Sequence, residues 1–307
     1  MPHLSALRMP SHAHIRVIAP ASPFDSEKLE NGVAIIKKQG LQVSYSTHLY
    51  DTDGYLAGSD SDRLTDLHDA ILDKDVHAIW MARGGYGCMR LVQAIDYSAI
   101  AQSRKLFIGF SDISVLLNAI YKKTGLISIH APVVASLADT SPDARAALFD
   151  LLLHSHCKKD LFPEPIDTWQ EGKASGSLIV SNLSMLTTLI GTPYEPDFNG
   201  AILAIEDVNE EAYRIDRMLT HLDMAGVFDK ISGLVFGQLS LYGKLTNSET
   251  PDLARKRVMQ LIKNRPIVAA GNAPFGHVAN NYPLVSGAPV TLDATKGRLI
   301  LEETVTR

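Results

Sequence analysis

The chain has 307 residues, 46% of them hydrophobic and 21% charged, a composition that suits a globular protein with room for two cores. A net charge of −5 offers no basic surface, which argues against nucleic acid and anionic membrane as partners. Two cysteines, Cys88 and Cys157, fit a reducing cytoplasm, and neither a signal peptide in residues 1–14 nor a membrane-length apolar stretch is read.

Residues 15–19 read as a first buried strand, broken by Pro20 and Pro23. Leu29, Val33 and Ile36 then share a helical face that ends at Gly40, and residues 41–45 form a second strand. Asp51-Thr52-Asp53-Gly54 begins like a calcium loop but lacks the closing glutamate, so it reads as a turn. Leu64, Leu67, Ile71 and Leu72 give the next helix, which contains His68. Residues 78–82 are a third strand feeding Arg83-Gly84-Gly85-Tyr86-Gly87, with a helical stripe of Leu91, Val92 and Ile95 behind it. A fourth strand, 106–109, stops at Gly109. A helix patterned by Ile113, Val115, Leu116, Ala119 and Ile120 begins just past Ser111 and ends at Gly125. Residues 126–129 are a fifth strand. This alternation predicts an α/β domain, 1–153, with a parallel sheet flanked by helices.

Around His154-Ser155-His156-Cys157 the periodicity lapses, and Pro163, Pro165 and Gly172 follow, so 154–174 reads as a linker. His154, His156 and Cys157 lack a second cluster at zinc spacing and read as a solvated helix end. The remainder, 175–307, reads as a smaller, strand-rich α/β domain. Its apolar stretch at 178–190 breaks at Gly191, and a wholly apolar strand at 201–205 ends in Glu206-Asp207. Ile215, Met218, Leu219 and Leu222 line a helix that stops at Gly226, and residues 234–236, 267–269, 290–292 and 299–301 are further strands.

Four places carry chemistry. Strand, sharp turn and helix put Ser111 at the C-terminal edge of a sheet beside free amides, the setting of a nucleophile elbow without its second glycine. The competing reading is a plain helix cap by Ser111 or Asp112. A serine nucleophile needs a base and the base an orienting carboxylate. Of eleven histidines, His277 has the most unusual setting, a glycine- and asparagine-rich loop after a buried strand, whereas His3, His12 and His14 sit on a tail. Glu206, or its neighbour Asp207, is the carboxylate. The loop 83–87 lets backbone approach a ligand closely; it is a weak phosphate loop and a better second oxyanion donor.

Taken together, Arg83-Gly84-Gly85-Tyr86-Gly87, Gly109-Phe110-Ser111-Asp112, residues 203–210, residues 214–219 and Gly276-His277 resemble the LD-carboxypeptidase family, the muramoyltetrapeptide carboxypeptidases of peptidoglycan recycling. The resemblance implies a serine peptidase with Ser111 as nucleophile, His277 as base and Glu206 as its orienter. It also implies an oxyanion hole from the amides of Asp112 and Gly85, a homodimer, and a murein tetrapeptide as substrate. Arg83, Gly84 and Tyr86 are the candidate substrate contacts; Arg83 is either a carboxylate clamp or a structural salt bridge. No metal or organic cofactor is expected. Two other readings stay open: a microcin-immunity-type peptidase cleaving aminoacyl-nucleotide analogues, and a non-catalytic anion-binding module. The microcin type would want an aromatic shelf for a base, and Trp80 reads as inside a strand and Trp169 as in the linker.

Overall fold

The computed structural model describes residues 3–154, 158–241, 244–245 and 249–303. The first half lays down β1 (His14–Ile18), α1 (Ser26–Lys37), β2 (Gln42–Tyr45), α2 (Asp60–Leu72), β3 (Ala78–Met81) and α3 (Cys88–Leu91). It continues with α4 (Tyr97–Ser103), β4 (Leu106–Gly109), α5 (Ile113–Thr124), β5 (Ser128–His130) and α6 (Pro142–Leu153). The second half adds β6 (Lys159–Asp160), β7 (Asp167–Gln170), β8 (Lys173–Asn182), α7 (Leu183–Leu189), β9 (Ile202–Val208), α8 (Ala212–Met224) and β10 (Gly233–Leu241). After it come β11 (Lys244–Leu245), α9 (Glu249–Ile262), β12 (Val268–Gly271), β13 (Leu284–Ser286), β14 (Pro289–Asp293) and β15 (Arg298–Leu301).

These form two sheets. The first has the order β13-β5-β4-β3-β1-β2, parallel except for β13. Its strand order reverses between β1 and β3, and at such a switch point the loops leaving the strands open a crevice. The glycine loop leaves β3 and Ser111 follows β4, the neighbouring strand, so both reach the same sheet edge. The second sheet runs β6-β15-β14-β8-β9-β10-β12-β7, with β8, β9, β10 and β12 mutually parallel.

Period-2 alternation explains the all-apolar strands of this second sheet. Leu178, Val180, Ile202, Ala204 and Val235 join the large core that continues under the first sheet. Their neighbours Ile179, Leu203, Ile205, Leu234 and Phe236 face the opposite way, onto α7, α8 and α9. One sheet thus supplies a wall to both cores.

Some expectations need correcting. Residues 154–174 are not a bare linker, because they hold β6 and β7; Asp167–Gln170 is too short and too polar to show a period, and its order comes from pairing with β12. Trp169 accordingly sits on a strand. β13 carries the chain back to the edge of the first sheet after residue 175. The helix expected through Ile95 stops at Leu91, and α4 follows with Ile100 as its one buried residue, so it shows no stripe. His14 opens β1 instead of lying in a tail, while His68 in α2 accepts from the Asp96 amide at 3.1 Å.

Residues 51–54 lead into a turn at residues 54–55, closed by an Asp53–Leu56 bridge. Asp51 there lies 2.9 Å from His48 Nδ1, and Asp62 completes a group whose ligand-type atoms fall within 4.8 Å of one another. His154 ends α6 with its ring 3.0 Å from Asp150; His156 and Cys157 lie outside the described residues. Among the described residues, no helix is long and apolar enough to cross a membrane.

Candidate active site

Every residue of β4 is buried, and the chain leaves it through Phe110 into Ser111, whose φ of 65° lies in the left-handed region. A non-glycine residue held there stores about 1–3 kcal/mol of strain. The turn is held by Ser114, whose amide and hydroxyl both donate to the Ser111 carbonyl, at 2.9 and 2.7 Å. Asp112 makes no side-chain cap bond to α5. Its buried carboxylate accepts from the Cys88 amide at 2.9 Å instead, tying the elbow to the far end of the glycine loop. Burial pushes this carboxyl up, against the hydrogen bond from the Cys88 amide.

The Ser111 hydroxyl oxygen lies 3.0 Å from His277 Nε2, and His277 Nδ1 lies 2.8 Å from Glu206 Oε2. With Glu206 ionised, Nδ1–H donates to it and leaves Nε2 to accept from Ser111. The strand period decides between the two carboxylates. Asp207 points away from the histidine and accepts from Ser184 N, Ser184 Oγ, Asn182 Nδ2 and its neighbour Val208 N, at 2.9, 2.8, 2.9 and 2.7 Å. The histidine loop can close on Glu206 only because residue 276 is glycine: at its φ of +118°, a Cβ would stand 2.7 Å from Glu206 Oε2. Asn281 Oδ1 takes the Gly276 amide at 3.0 Å and fixes that loop.

Glu206 is fully buried, which alone would raise its pKa, but the His277 charge and hydrogen bond outweigh burial and hold it below the usual value. For His277 burial works downward, and the Glu206 charge overcomes it, so its pKa is raised. Burial and the adjacent Glu206 charge push Asp207 up to about 6. His130 on β5 is fully buried behind the pair, near Phe110 and Phe275, and burial pushes it down to about 4, so it stays neutral.

One cyclic set of hydrogen bonds joins the two sheets through this site. Ser114 Oγ receives the Asn182 amide at 3.3 Å, while Asn182 Nδ2 donates to Glu206 Oε1 at 3.3 Å. Asn118 on α5 also donates to the Val180 carbonyl at 2.9 Å. The helix that begins at the elbow is therefore pinned to the strand beside Glu206.

The glycine loop lies against Ser111. Ser22 braces it, donating its amide to the Gly84 carbonyl at 3.2 Å and accepting from the Tyr86 amide at 3.1 Å. The buried Arg63 guanidinium holds the Pro20 carbonyl and, at 3.2 Å, the Gly87 carbonyl. Among the described residues, no backbone carbonyl takes the amides of Gly85 or Asp112. A Cβ on Gly84 would lie 2.9 Å from Ser111 Cβ and 3.1 Å from its hydroxyl. Gly84→Ala should therefore displace the serine and lower kcat about 100-fold with little change in Tm; a wild-type rate would show that the loop has room to give.

A cavity of about 550 Å³ opens over these groups, lined in part by Arg83, Gly84, Gly85, Ser111, Asn209 and His277. Arg83 is exposed at the rim and donates to the Pro23 carbonyl, and among the described residues it forms no salt bridge. Tyr86 is not among the lining residues; its ring packs on Tyr55, with centroids 5.6 Å apart. Neither tryptophan lines the cavity: Trp80 is buried and donates to the Pro132 carbonyl, and Trp169 packs on Phe236.

Residues 15–131 match the LD-carboxypeptidase N-terminal domain model, and residues 175–292 match that of the LD-carboxypeptidase C-terminal domain. The chain belongs to the LD-carboxypeptidase family.

Within the family, a probable murein peptide carboxypeptidase of Bacillus subtilis is 34% identical over 294 residues, covering 94% of this chain and 91% of the relative. A murein tetrapeptide carboxypeptidase of Pseudomonas aeruginosa is 31% identical, covering 94% of this chain and 96% of its own. The solved muramoyltetrapeptide carboxypeptidase from Oxalobacter formigenes superposes with a TM-score of 0.81 at 27% identity, over 94% of this chain and 98% of that one. A microcin C7 self-immunity protein in complex with aspartyl sulfamoyl adenosine has a TM-score of 0.90 at 21% identity, over 99% and 100% of the two chains, and so shares the LD-carboxypeptidase fold.

Sequence reasoning missed Ser22, Ser114, Asn182 and His130. Ser114 and Asn182 look like ordinary helix and strand-end residues, because their partners lie 68 positions apart. His130 reads as the end of an apolar strand, and only its full burial marks it.

Proposed function

We propose that this LD-carboxypeptidase family member is a serine peptidase releasing the terminal D-alanine of murein tetrapeptides. The observation that carries the reading is His277 seated between Glu206 and Ser111 at 2.8 and 3.0 Å, with Ser111 on a strained turn facing the cavity.

In this reading Ser111 attacks the amide carbonyl preceding D-alanine while Nε2 of His277 takes its proton. Glu206 holds the imidazole in the tautomer that leaves Nε2 open and stabilises the imidazolium that forms. The amides of Asp112 and Gly85 receive the tetrahedral oxyanion, each donor contributing roughly 3–4 kcal/mol. The imidazolium then protonates the departing amine, and water, deprotonated by the same nitrogen, cleaves the acyl-enzyme. Arg83 at the rim takes the free carboxylate of the leaving residue. No metal or organic cofactor is needed for these steps. The reading includes a homodimer, by family resemblance, working in the cytoplasm, which two cysteines in the whole sequence fit.

The test is release of D-alanine from a tetrapeptide, with a pentapeptide ending in D-alanyl-D-alanine and an aminoacyl-adenylate analogue as comparisons. Preference for the tetrapeptide by at least about tenfold is expected, since a longer chain end carries its carboxylate past Arg83. Faster cleavage of the adenylate analogue would favour the microcin-immunity type, which no aromatic shelf in the cavity supports: its described lining rings are Phe110 and His277. No turnover of any of the three, with Ser111 spared by a serine-directed phosphonate, would overturn the enzymatic reading.

A further inference from the structure

Away from the active site, the connection from β2 to α2 gathers metal-ligating side chains that the peptidase reading leaves without a task. His48 and Asp51 come from that connection and Asp62 from the first turn of α2. One ligand-type atom of each lies within 4.8 Å of the others. His48 Nδ1 is 2.9 Å from Asp51 Oδ2, and both side chains reach solvent, at 31% and 49% exposure. Asp66, one turn further along α2 and buried, accepts the His48 amide on both carboxylate oxygens at 3.2 Å, fixing the backbone that carries the imidazole. The charges of all three carboxylates act on the His48 ring. Among the described residues, no lysine or arginine pairs with any of the three.

An imidazole nitrogen and two carboxylate oxygens are a donor set that suits zinc, whose ligands, at bond lengths of about 2.0–2.2 Å, stand about 3.4 Å apart on a tetrahedron. His48 Nδ1 and Asp51 Oδ2 need to part by only about 0.5 Å to reach that spacing. Asp62 Oδ2 accepts the Ser59 hydroxyl at 2.7 Å, which leaves other lone pairs of the carboxylate for an ion. We propose that His48, Asp51 and Asp62 bind one divalent transition-metal ion, zinc being the best fit, and that the ion clasps the β2–α2 connection and takes no part in hydrolysis. The Nδ1 proton leaves as the metal takes its place. The clasped segment supports the glycine loop. The Ala57 amide donates to the Ala21 carbonyl at 2.9 Å, next to the Ser22 that braces Gly84 and Tyr86, and Arg63, beside Asp62, holds the Gly87 carbonyl.

The experiment adds zinc alone to the full chain after chelator treatment. Isothermal titration should show one equivalent bound with a Kd of about 10 µM or tighter. At about a hundredfold excess over that Kd, Tm should rise by about 4 °C. Chymotrypsin should then cut after the exposed Tyr50 and Tyr55 at least about fivefold more slowly. Calcium at the same concentration should do neither, since it prefers a shell of six or more oxygens. His48→Gln and Asp51→Asn should each remove the equivalent, the Tm rise and the protection, whereas His154→Ala should bind as the wild-type protein does. If either site variant fails to fold, anomalous scattering from zinc in wild-type crystals decides, with a peak expected among His48, Asp51 and Asp62. An equivalent that survives in a folded His48→Gln protein or vanishes in His154→Ala, a peak only elsewhere, or no binding below about 1 mM would each overturn the site.

Discussion

Replacing Ser111 by alanine should reduce D-alanine release from a murein tetrapeptide by about 10⁴-fold or more, with KM or Kd for the peptide nearly unchanged. The hydroxyl lies 3.0 Å from His277 Nε2, and in the proposed mechanism it forms its bond to the substrate only as the transition state is reached. Alanine removes the nucleophile and little else, because the turn is held through the Ser111 carbonyl by Ser114 and not through the Ser111 hydroxyl. Single-turnover kinetics with isothermal titration on the same peptide provide the check. A variant that keeps more than about a hundredth of the rate would mean that water is attacking without an acyl-enzyme.

The second large effect is expected from Glu206→Gln. The substitution keeps the shape and the contact with Asn182 but replaces an ionised acceptor with an amide, which can turn its NH₂ toward Nδ1 and impose the wrong tautomer. A fall in kcat of about 10⁴-fold follows. The pH profile supplies a second readout with a definite sign. His277 works as a base only when neutral, so activity falls as pH drops through its pKa. Although burial lowers that pKa, the Glu206 charge raises it overall, so the acid limb of the wild-type protein should lie above the ordinary histidine range. With the charge removed, burial is left unopposed by Glu206, and the acid limb of the residual activity should move to lower pH. A limb that stays in place would assign it to another group, with Asp207 the first to examine, since it is pushed up to about 6.

Much of the site was legible in the sequence because each of its chemical residues ends a strand or interrupts an apolar run. Ser111 follows a run that stops at Gly109, Glu206 breaks a run of five apolar residues, and His277 sits among glycine and asparagine. Such positions are where buried hydrophobic order gives way to polar chemistry. The residues alone made Glu206 the candidate with Asp207 as its competitor, and the family resemblance favoured Glu206; what separates the two physically is which face of β9 looks toward the first sheet, a fact of tertiary packing. Arg83 was left between a clamp and a salt bridge for the same reason. Tyr86 was named for its place in the glycine loop, which says nothing of where the ring lies; it packs on Tyr55. In the fold, α4, β6 and β7 escaped because segments this short and polar are ordered by their partners and not by their own periodicity.

The hydrogen-bonded cycle through Ser114, Asn182, Glu206 and His277 also has a meaning in time. The serine precedes its histidine by 166 positions, so during synthesis the proposed nucleophile emerges long before its proposed base. Ser114 has no Asn182 to hold until β8 has been made, and Glu206 has no imidazole to orient until the chain has passed β12. On the proposed mechanism the nascent protein therefore carries an inert alcohol, and hydrolysis starts only when the last member of the cycle docks. Acquisition of activity during refolding should accordingly report the joining of the two sheets, lagging behind the secondary structure that each can form alone.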